Sequence, residues 1–270
     1  MPTIGFIGAG NMAEAIARGL LRTALYQPSD ICATDPSPER QRLFANELGI
    51  SCGGSNQSVA KADMVVLAVK PFIMAEALEQ IKPSLTSETL LVSIAAGISC
   101  RFIEQAVASA ANPSPRLIRV MPNTPMLVGK GMSALCRGSS ATEHDLISAE
   151  RIFAAGGKTV RVSEEFLDAV TAVSGSGPAY FFYMVELLAQ AGMAAGLSED
   201  QAGVLARQTA IGAAALLEQS KDSAAELRRK VTTPNGTTQA AIEAFQGGNF
   251  GELVRKAVQA ATRRSRELGK

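Results

Sequence analysis

The sequence predicts a doubly wound α/β domain followed by an all-α domain. Short β-branched runs alternate with helical runs up to residue 162, and no convincing strand follows residue 163. Alternating strands and helices are typical of a sheet covered by helices on both faces. We therefore expect domains at residues 1–163 and 164–270 of the 270-residue chain, close to the ordinary size of about 150 residues per domain.

The first domain is predicted from seven strands and five helices. The strands are expected at residues 3–8, 31–34, 64–69, 90–93, 116–121, 131–136 and 158–162. The helices between them are expected at residues 11–22, 38–48, 72–81, 101–108 and 142–155. Residues 64–69 read Met-Val-Val-Leu-Ala-Val, and such a continuous apolar run is typical of a parallel strand that is buried on both faces.

The second domain is predicted to be helical throughout. Helices are expected at residues 165–173, 178–192, 198–219, 224–230, 237–246 and 251–268, and Ser198 with Gln201 forms a capping-box pattern. Residues 179–195 are apolar nearly all round, with Glu186 and Gln190 as the strongly polar members. A helix of this kind must be covered on every side. About 100 residues of helix cannot do so alone, so we expect packing against a second copy of the chain.

Composition excludes several classes of partner. Lys and Arg number 26 against 25 Asp and Glu, which leaves no basic excess for nucleic acid. The apolar runs are too short to span a membrane, and the chain enters its first strand without a basic leader or cleavage site. A cytoplasmic location is therefore expected. The four cysteines have no CxxC spacing and His144 is the single histidine, so we expect no metal site.

A glycine-rich motif joins the first strand to the first helix. Gly8-x-Gly10-x-x-Ala13 has the context of a dinucleotide-binding (Rossmann) fingerprint, with a strand before it and a helix after it. Gly8 permits the tight turn, Gly10 lets the backbone approach a pyrophosphate, and Ala13 keeps helix and sheet close. The helix N-terminus offers free N–H groups to phosphate. Asn11 and Met12 complete this predicted cofactor loop.

The end of the second strand leaves the choice between NADH and NADPH open. Asp35 lies where an acid accepts hydrogen bonds from the adenosine ribose, which suits NADH. Ser37 and Arg40 follow, however, and could bind the 2′-phosphate of NADPH if the loop turns Asp35 away. An Asx turn before Pro36 is the structural alternative for Asp35.

Later strand ends supply further candidate cofactor residues, because ligands of open α/β sheets bind outside the carboxyl ends of the strands. The residues expected there are Ala68, Val69, Lys70, Pro71, Ala95, Gly97 and Asn123. Asn123 lies between two prolines and is interpreted as a contact for the nicotinamide ribose or carboxamide, with a structural turn as the alternative.

A nicotinamide site implies hydride transfer, and the available side chains favour a C=N bond as acceptor. Reduction of a ketone requires a general acid near the reacting oxygen, usually His, Lys or Tyr. His144 is predicted on a solvated helix, and no lysine occurs between Lys158 and Lys221. Tyr180 and Tyr183 remain, although Tyr180 is interpreted as a packing residue. A protonated imine is already electrophilic, so orientation alone suffices.

Two polar, glycine-bearing loops interrupt the helical half. Residues 173–180 read Val-Ser-Gly-Ser-Gly-Pro-Ala-Tyr, and residues 231–238 read Val-Thr-Thr-Pro-Asn-Gly-Thr-Thr. Each loop places hydroxyls and free N–H groups at a helix N-terminus, an arrangement that binds carboxylates without an arginine. Ordinary helix capping is the structural alternative.

Taken in order, these motifs resemble those of pyrroline-5-carboxylate reductase over essentially the whole chain. The resemblance rests on Gly5-Phe-Ile-Gly-Ala-Gly10, Leu67-Ala-Val-Lys-Pro71, Met121-Pro-Asn-Thr-Pro125, Ser174-Gly-Ser-Gly-Pro-Ala-Tyr180 and the loop at residues 231–238. It implies reduction of 1-pyrroline-5-carboxylate to L-proline by NADPH or NADH, the last step of proline biosynthesis. It also implies a Rossmann domain and a helical domain that forms a homodimer, often assembled further into a decamer.

The resemblance also implies roles for individual residues. The substrate-binding residues would be Gly175, Ser176, Gly177, Thr233, Gly236, Thr237 and Thr238. Thr238 would position the substrate carboxylate, Gly175 to Gly177 would approach the ring from the facing subunit, and no acid or base is assigned. Asn56 matches a position near the adenosine ribose across a one-residue alignment gap.

Two departures from the family pattern keep alternatives open. The family loop Ser-Pro-Gly-Gly-Thr-Thr reads Thr-Pro-Asn-Gly-Thr-Thr here, and asparagine tolerates a positive φ, so the turn is expected to survive. A common Glu-His-Pro segment aligns with Lys221-Asp-Ser223, leaving Asp222 or Glu218 to contact the imine nitrogen. The alternatives are a reductase of another cyclic imine, an enzyme like the β-hydroxyacid dehydrogenases, and a dinucleotide-sensing protein without turnover.

Overall fold

The computed structural model describes residues 3–269, so Met1, Pro2 and Lys270, at the outer ends of the predicted domains, lie outside the described residues. The chain forms two compact units. One contains the residues up to Ser176 together with those from Ala261 onward, and the other contains Gly177–Ala260. The sheet ends at Arg161, close to the predicted domain boundary after residue 163, whereas residues 164–176 pack with the sheet unit.

Within residues 3–269, a single eight-stranded sheet organises the first unit. Its strands are β1 (Ile4–Ile7), β2 (Ile31–Thr34), β3 (Ser51–Cys52), β4 (Met64–Leu67), β5 (Leu90–Ser93), β6 (Arg116–Met121), β7 (Gly131–Arg137) and β8 (Gly157–Arg161). Their order is β3-β2-β1-β4-β5-β6-β7-β8. All neighbours are parallel except β6 and β7, because residues 122–130 provide no crossover helix between them.

Helices cover both faces of the sheet. They are α1 (Asn11–Arg22), α2 (Pro38–Leu48), α3 (Asn56–Val59), α4 (Met74–Ile81), α5 (Cys100–Val107), α6 (Glu143–Ala154) and α7 (Leu167–Val170). One buried cluster contains Phe6, Leu20 and Phe44, and a separate cluster contains Leu67 and Ile103. Two cores separated by a mostly parallel sheet confirm the predicted doubly wound class.

Two details differ from the sequence prediction. Strand β3 and helix α3 were not expected, because two and four residues are too few for a periodic pattern. The helix expected at residues 165–173 is divided into α7 and a π-helical turn, Thr171–Gly175.

The second unit is built from helices, as predicted. They are α8 (Gly177–Ala194), α9 (Glu199–Gln219), α10 (Ala224–Lys230), α11 (Thr237–Gly247) and most of α12 (Phe250–Leu268). The predicted capping box is confirmed, because the Ser198 side chain accepts from the Gln201 N–H and Gln201 Oε1 accepts from the Ser198 N–H. Within the single chain the side chains of Phe181 and Phe182 on α8 are 75% and 69% exposed. Among the described residues no helix is long and apolar enough to cross a membrane.

The end of α12 belongs to the first unit. Ser265 is buried there and its Oγ donates to Asp168 Oδ1 at 2.7 Å. Gly97, which follows β5, lies against the same helix end with a φ of +79°, and a β-carbon at Gly97 would lie 2.8 Å from the Ser265 carbonyl oxygen. The conformation of the loop after β5 is therefore constrained by its packing against the end of α12.

Candidate active site

The glycine loop between β1 and α1 has the geometry of a phosphate-binding turn. Gly8 has a φ of +95°, and a β-carbon there would lie 2.8 Å from the Ala68 carbonyl oxygen, so the position requires glycine. A β-carbon at Gly10 would meet no atom within 4 Å, which leaves open space beside the backbone. Ala13 is fully buried and holds α1 close to the sheet.

The N-terminus of α1 is open to a ligand. Gly10 is the N-cap residue and offers no side-chain hydrogen bond to the first turn. Asn11 is exposed and Met12 is half-buried at the start of this helix. The N–H groups of a first turn without a side-chain cap carry a positive partial charge that favours phosphate.

Asp35, Ser37 and Arg40 come together beside this loop. Asp35 Oδ2 accepts from the Ala9 N–H at 2.8 Å, and Oδ1 accepts from the Ser37 N–H at 2.9 Å. Arg40 Nε donates to the Ala9 carbonyl oxygen at 2.6 Å. Asp35, named for NADH, and Arg40, named for NADPH, therefore both hydrogen-bond to backbone groups of the first unit. A ribose contact of Asp35 stays a prediction.

The ends of β4 and β5 lie along the same sheet edge as the glycine loop. The Ala68 N–H donates to the Ile7 carbonyl oxygen at 2.9 Å, which places Ala68 beside Gly8. Val69 and Pro71 are half-buried here, Lys70 is exposed, and Ala95 is buried. Asn56 begins α3 and donates through Nδ2 to Gln80 Oε1 at 2.6 Å. Cofactor contacts of these residues stay predictions.

Asn123 connects three segments of the first unit. Its side chain is buried, and Nδ2 lies 3.1 Å from the Ser174 carbonyl oxygen and 3.3 Å from Ser174 Oγ. Its Oδ1 accepts from the Met132 N–H at 2.8 Å. The amide that was interpreted as a nicotinamide contact is thus engaged with protein groups in the structure, and the cofactor contact stays a prediction.

The first polar loop is a π-helical turn that ends beside Met121. The Ser176 N–H donates to the Thr171 carbonyl oxygen at 2.8 Å, five residues back along the chain. A β-carbon at Gly175 would collide with the Met121 Cε methyl, so glycine permits this approach. Gly177 is buried at the start of α8. Single π-helical turns inside helices occur frequently at functional sites.

The second polar loop leaves the N-terminus of α11 without a side-chain cap. Gly236 is the N-cap residue, and a β-carbon there would collide with Thr233 Oγ1. Asn235 has a φ of +57°, so the turn expected to survive the Gly-to-Asn departure is confirmed. Thr237 and Thr238 form the first turn, the former exposed and the latter half-buried. The arrangement suits a carboxylate.

The segment that departs from the family pattern is occupied by local contacts. Asp222 forms an ion pair with Lys230, and this hydrogen bond lowers the pKa of the Asp222 carboxyl. Ser223 caps α10 and forms a capping box with Glu226. Lys221 is exposed. A contact between Asp222 and an imine nitrogen would therefore compete with Lys230.

The histidine and the four cysteines lie outside the glycine loop and the two polar loops. His144 is exposed near the start of α6. The four cysteines are free thiols. Among residues 3–269, no group of three or more His, Cys, Asp or Glu side chains is arranged to hold a metal ion.

Comparison with known proteins places this geometry in a family. Residues 164–268 match the family model described as pyrroline-5-carboxylate reductase dimerisation. A curated pyrroline-5-carboxylate reductase of Pseudomonas aeruginosa is 45% identical over 269 residues, covering 99% of this chain and 97% of that protein. The chain belongs to the pyrroline-5-carboxylate reductase family. The predicted resemblance is thereby confirmed.

Further similarities cover both halves of this family member. Residues 3–97 match the model described as NADP oxidoreductase, coenzyme F420-dependent. The pyrroline-5-carboxylate reductase of Pisum sativum is 41% identical, with 98% of this chain and 96% of that protein covered. The Coxiella burnetii structure has a TM-score of 0.91 at 38% identity, covering 100% of this chain and 99% of that one. The Plasmodium falciparum structure, which has NADP bound, has a TM-score of 0.87 at 31% identity, covering 100% and 98%.

Proposed function

We propose that this protein reduces 1-pyrroline-5-carboxylate to L-proline with NADPH or NADH, the final step of proline biosynthesis. The observation that carries the proposal is the membership of the whole chain in the reductase family. In this reaction the reduced dinucleotide would supply a hydride to the imine carbon, and the protonated imine would become the secondary amine of proline.

The glycine loop fits a dinucleotide because Gly10 has no side chain and its backbone is therefore accessible. A β-carbon at Gly10 would fill the open space beside the first turn of α1, and a pyrophosphate needs that approach. Gly8, Asn11, Met12 and Ala13 shape the same turn. The bound cofactor would supply the hydride. The remaining proposed contacts are Asn56, Ala68, Val69, Lys70, Pro71, Ala95, Gly97 and Asn123, and Asp35 lies beside the same loop.

The substrate carboxylate would bind at the N-terminus of α11. Gly236, the N-cap of that helix, makes no side-chain hydrogen bond to the first turn, which leaves N–H donors and a positive partial charge for a carboxylate. Thr238 and Thr233 would add hydroxyl donors, with Thr237 in the same turn. Gly175, Ser176 and Gly177 would approach the ring from the facing subunit. This function requires binding and orientation, because a protonated imine accepts hydride without a dedicated acid.

We propose a homodimer formed through the helical unit, with further assembly into a decamer, in the cytoplasm. The exposed apolar residues on α8 and α9 support the dimer, since large exposed apolar patches normally mark an interface. Phe182→Glu should lower the solution mass. Phe72→Glu, at an exposed position in the sheet unit, is the control and should retain the wild-type mass. Analytical ultracentrifugation measures both, and an unchanged Phe182→Glu assembly would contradict the interface.

The decisive experiment follows absorbance at 340 nm with racemic 1-pyrroline-5-carboxylate and each reduced cofactor, with proline identified chromatographically. Loss of absorbance with formation of proline supports the proposal and ranks NADH against NADPH. Binding of a dinucleotide without turnover would refute it and favour another cyclic imine. Lys221-Asp-Ser223 is the observation behind that second candidate, because Asp222 is held by Lys230. Oxidation of β-hydroxyacids would instead indicate the dehydrogenase alternative.

A further inference from the structure

We propose that Asp35 and Arg40 are positioning residues that clamp the glycine loop, and that Asp35 does not select between NADH and NADPH. This inference rests on the proposed dinucleotide site. It differs from the usual role of an acid at the end of the second strand, which accepts hydrogen bonds from the ribose of NAD. The structure shows a different set of partners for this carboxylate.

Ala9, between the two glycines of the fingerprint, is held at both of its backbone polar groups. Its N–H donates to Asp35 Oδ2 at 2.8 Å. Its carbonyl oxygen accepts from Arg40 Nε at 2.6 Å. Hydrogen bonds that involve a charged partner are about twice as strong as neutral ones. The central residue of the loop is therefore fixed from both sides by charged side chains.

The second oxygen of Asp35 is also directed at backbone. Asp35 Oδ1 accepts from the Ser37 N–H at 2.9 Å. Pro36 has no N–H group, so the Ser37 N–H is the first that follows Asp35. This Asx-type turn and the Ala9 contact hold the carboxylate between two chain segments, with one backbone donor on each oxygen.

Arg40 is itself anchored to α1. Arg40 Nη2 lies 2.7 Å from Glu14 Oε2, and the side chains of Arg40 and Glu14 are only 19% and 14% exposed. Glu14 also accepts from Arg18 Nε at 2.8 Å. A continuous set of contacts thus joins the end of β2, the glycine loop, α2 and α1.

The clamp has a consequence for cofactor binding. Gly8 and Gly10 lack side chains that could restrict their backbone, and glycine loses more conformational freedom than any other residue when it is fixed. By holding Ala9, the clamp keeps the loop and the first turn of α1 in the phosphate-binding arrangement before the ligand arrives. The pyrophosphate is common to NADH and NADPH, so the clamp supports both cofactors equally.

Isothermal titration calorimetry of the full chain with NADH and with NADPH tests this inference. Asp35→Asn and Arg40→Gln should each weaken both cofactors by about tenfold, the effect of losing a hydrogen bond to a charged group. The KM for the imine at saturating cofactor should not change. Arg161→Gln is the matched control, because Arg161 pairs with Glu143 and Glu150 and has no contact with the loop, Glu14 or Arg40, and it should bind both cofactors as the wild type does.

The opposite patterns would overturn the inference. If Asp35→Asn weakens NADH alone and spares or strengthens NADPH, Asp35 binds the ribose. If Arg40→Gln weakens NADPH alone, Arg40 binds the 2′-phosphate. If both variants bind both cofactors with wild-type affinity, the hydrogen bonds of Asp35 and Arg40 do not contribute to cofactor binding. If Asp35→Asn fails to fold, as judged by circular dichroism, the cofactor affinities of Arg40→Gln alone test the inference. Calorimetry needs no imine, so a reaction that fails while these affinities follow the expectation contradicts only the proposed function.

Discussion

Replacing Gly8 by alanine separates the structural role of the glycine loop from its binding role. At a φ of +95° a β-carbon lies 2.8 Å from the Ala68 carbonyl oxygen, 3.0 Å from its carbonyl carbon and 3.3 Å from Val69 Cγ1. The strained backbone costs about 1–3 kcal/mol, and the forced shift of the neighbouring strand end costs about 1–3 kcal/mol more. We expect Gly8→Ala to lower the free energy of unfolding by about 2–6 kcal/mol and to abolish tight dinucleotide binding.

Gly10→Ala is the matched control for this prediction. A β-carbon at Gly10 meets nothing within 4 Å, and its φ of −69° is ordinary for alanine. The fold should therefore keep its stability, while the new methyl group occupies the space that the pyrophosphate needs. Both variants should lose cofactor affinity, but only Gly8→Ala should lose stability.

Urea denaturation followed by circular dichroism measures the stability, and calorimetry with NADPH measures the binding. Equal destabilisation of both variants would show that the space at Gly10 is filled in the folded protein. Wild-type cofactor affinity in Gly10→Ala would refute the placement of the pyrophosphate.

Three further predictions concern other parts of the molecule. Thr238→Ala should raise the KM for the imine by about tenfold, because the substrate carboxylate loses a hydroxyl donor. The cofactor affinity measured by calorimetry should not change. Loss of cofactor affinity with an unchanged KM would contradict the assignment of this loop to the substrate. Asn123→Ala leaves the Met132 N–H without its acceptor, so the free energy of unfolding measured with urea should fall by about 1–3 kcal/mol. Ser174→Ala keeps that hydrogen bond and should lower the free energy of unfolding by less. Burial raises the pKa of Glu14, but the hydrogen bonds and charges of Arg18 and Arg40 outweigh burial and leave that pKa below the ordinary value of a glutamate. The ionised carboxylate therefore stabilises the fold above the ordinary glutamate pKa, and this stabilisation is lost as the pH falls through the lowered value. Glu14→Gln should flatten the pH dependence of stability in that acidic range, and an unchanged acid profile would contradict this reasoning.

Local patterns predicted much of the fold because they report burial and turn chemistry. The apolar run at residues 64–69 contains the fully buried β4, and the glycine fingerprint lies between β1 and α1 as expected. Strand β3 has two residues, too short to carry a period, and its position depends on pairing with β2.

The candidate site was less accessible to sequence reasoning because its geometry depends on distant partners. The π-helical turn ends at Gly175, which lies against Met121, and Asn123 holds Ser174 from across 51 residues of chain. The sequence indicated that Asp35 lies near the cofactor loop, but not that its oxygens accept from Ala9 and Ser37. Spacing identifies which side chains reach a sheet edge, whereas hydrogen-bond partners follow only from three-dimensional packing.

The return of the chain end to the sheet unit has a consequence for synthesis on the ribosome. The last residues, from Ala261 onward, belong to the unit that begins the chain, and Gly177–Ala260 separate the two parts. At about 5–20 residues per second, those 84 residues take roughly 4–17 s to translate. During that interval the sheet is complete while the surface around Gly97 still lacks its covering helix. The first unit therefore completes its packing around Gly97 only after the last turns of α12, from Ala261 to Leu268, have been synthesised.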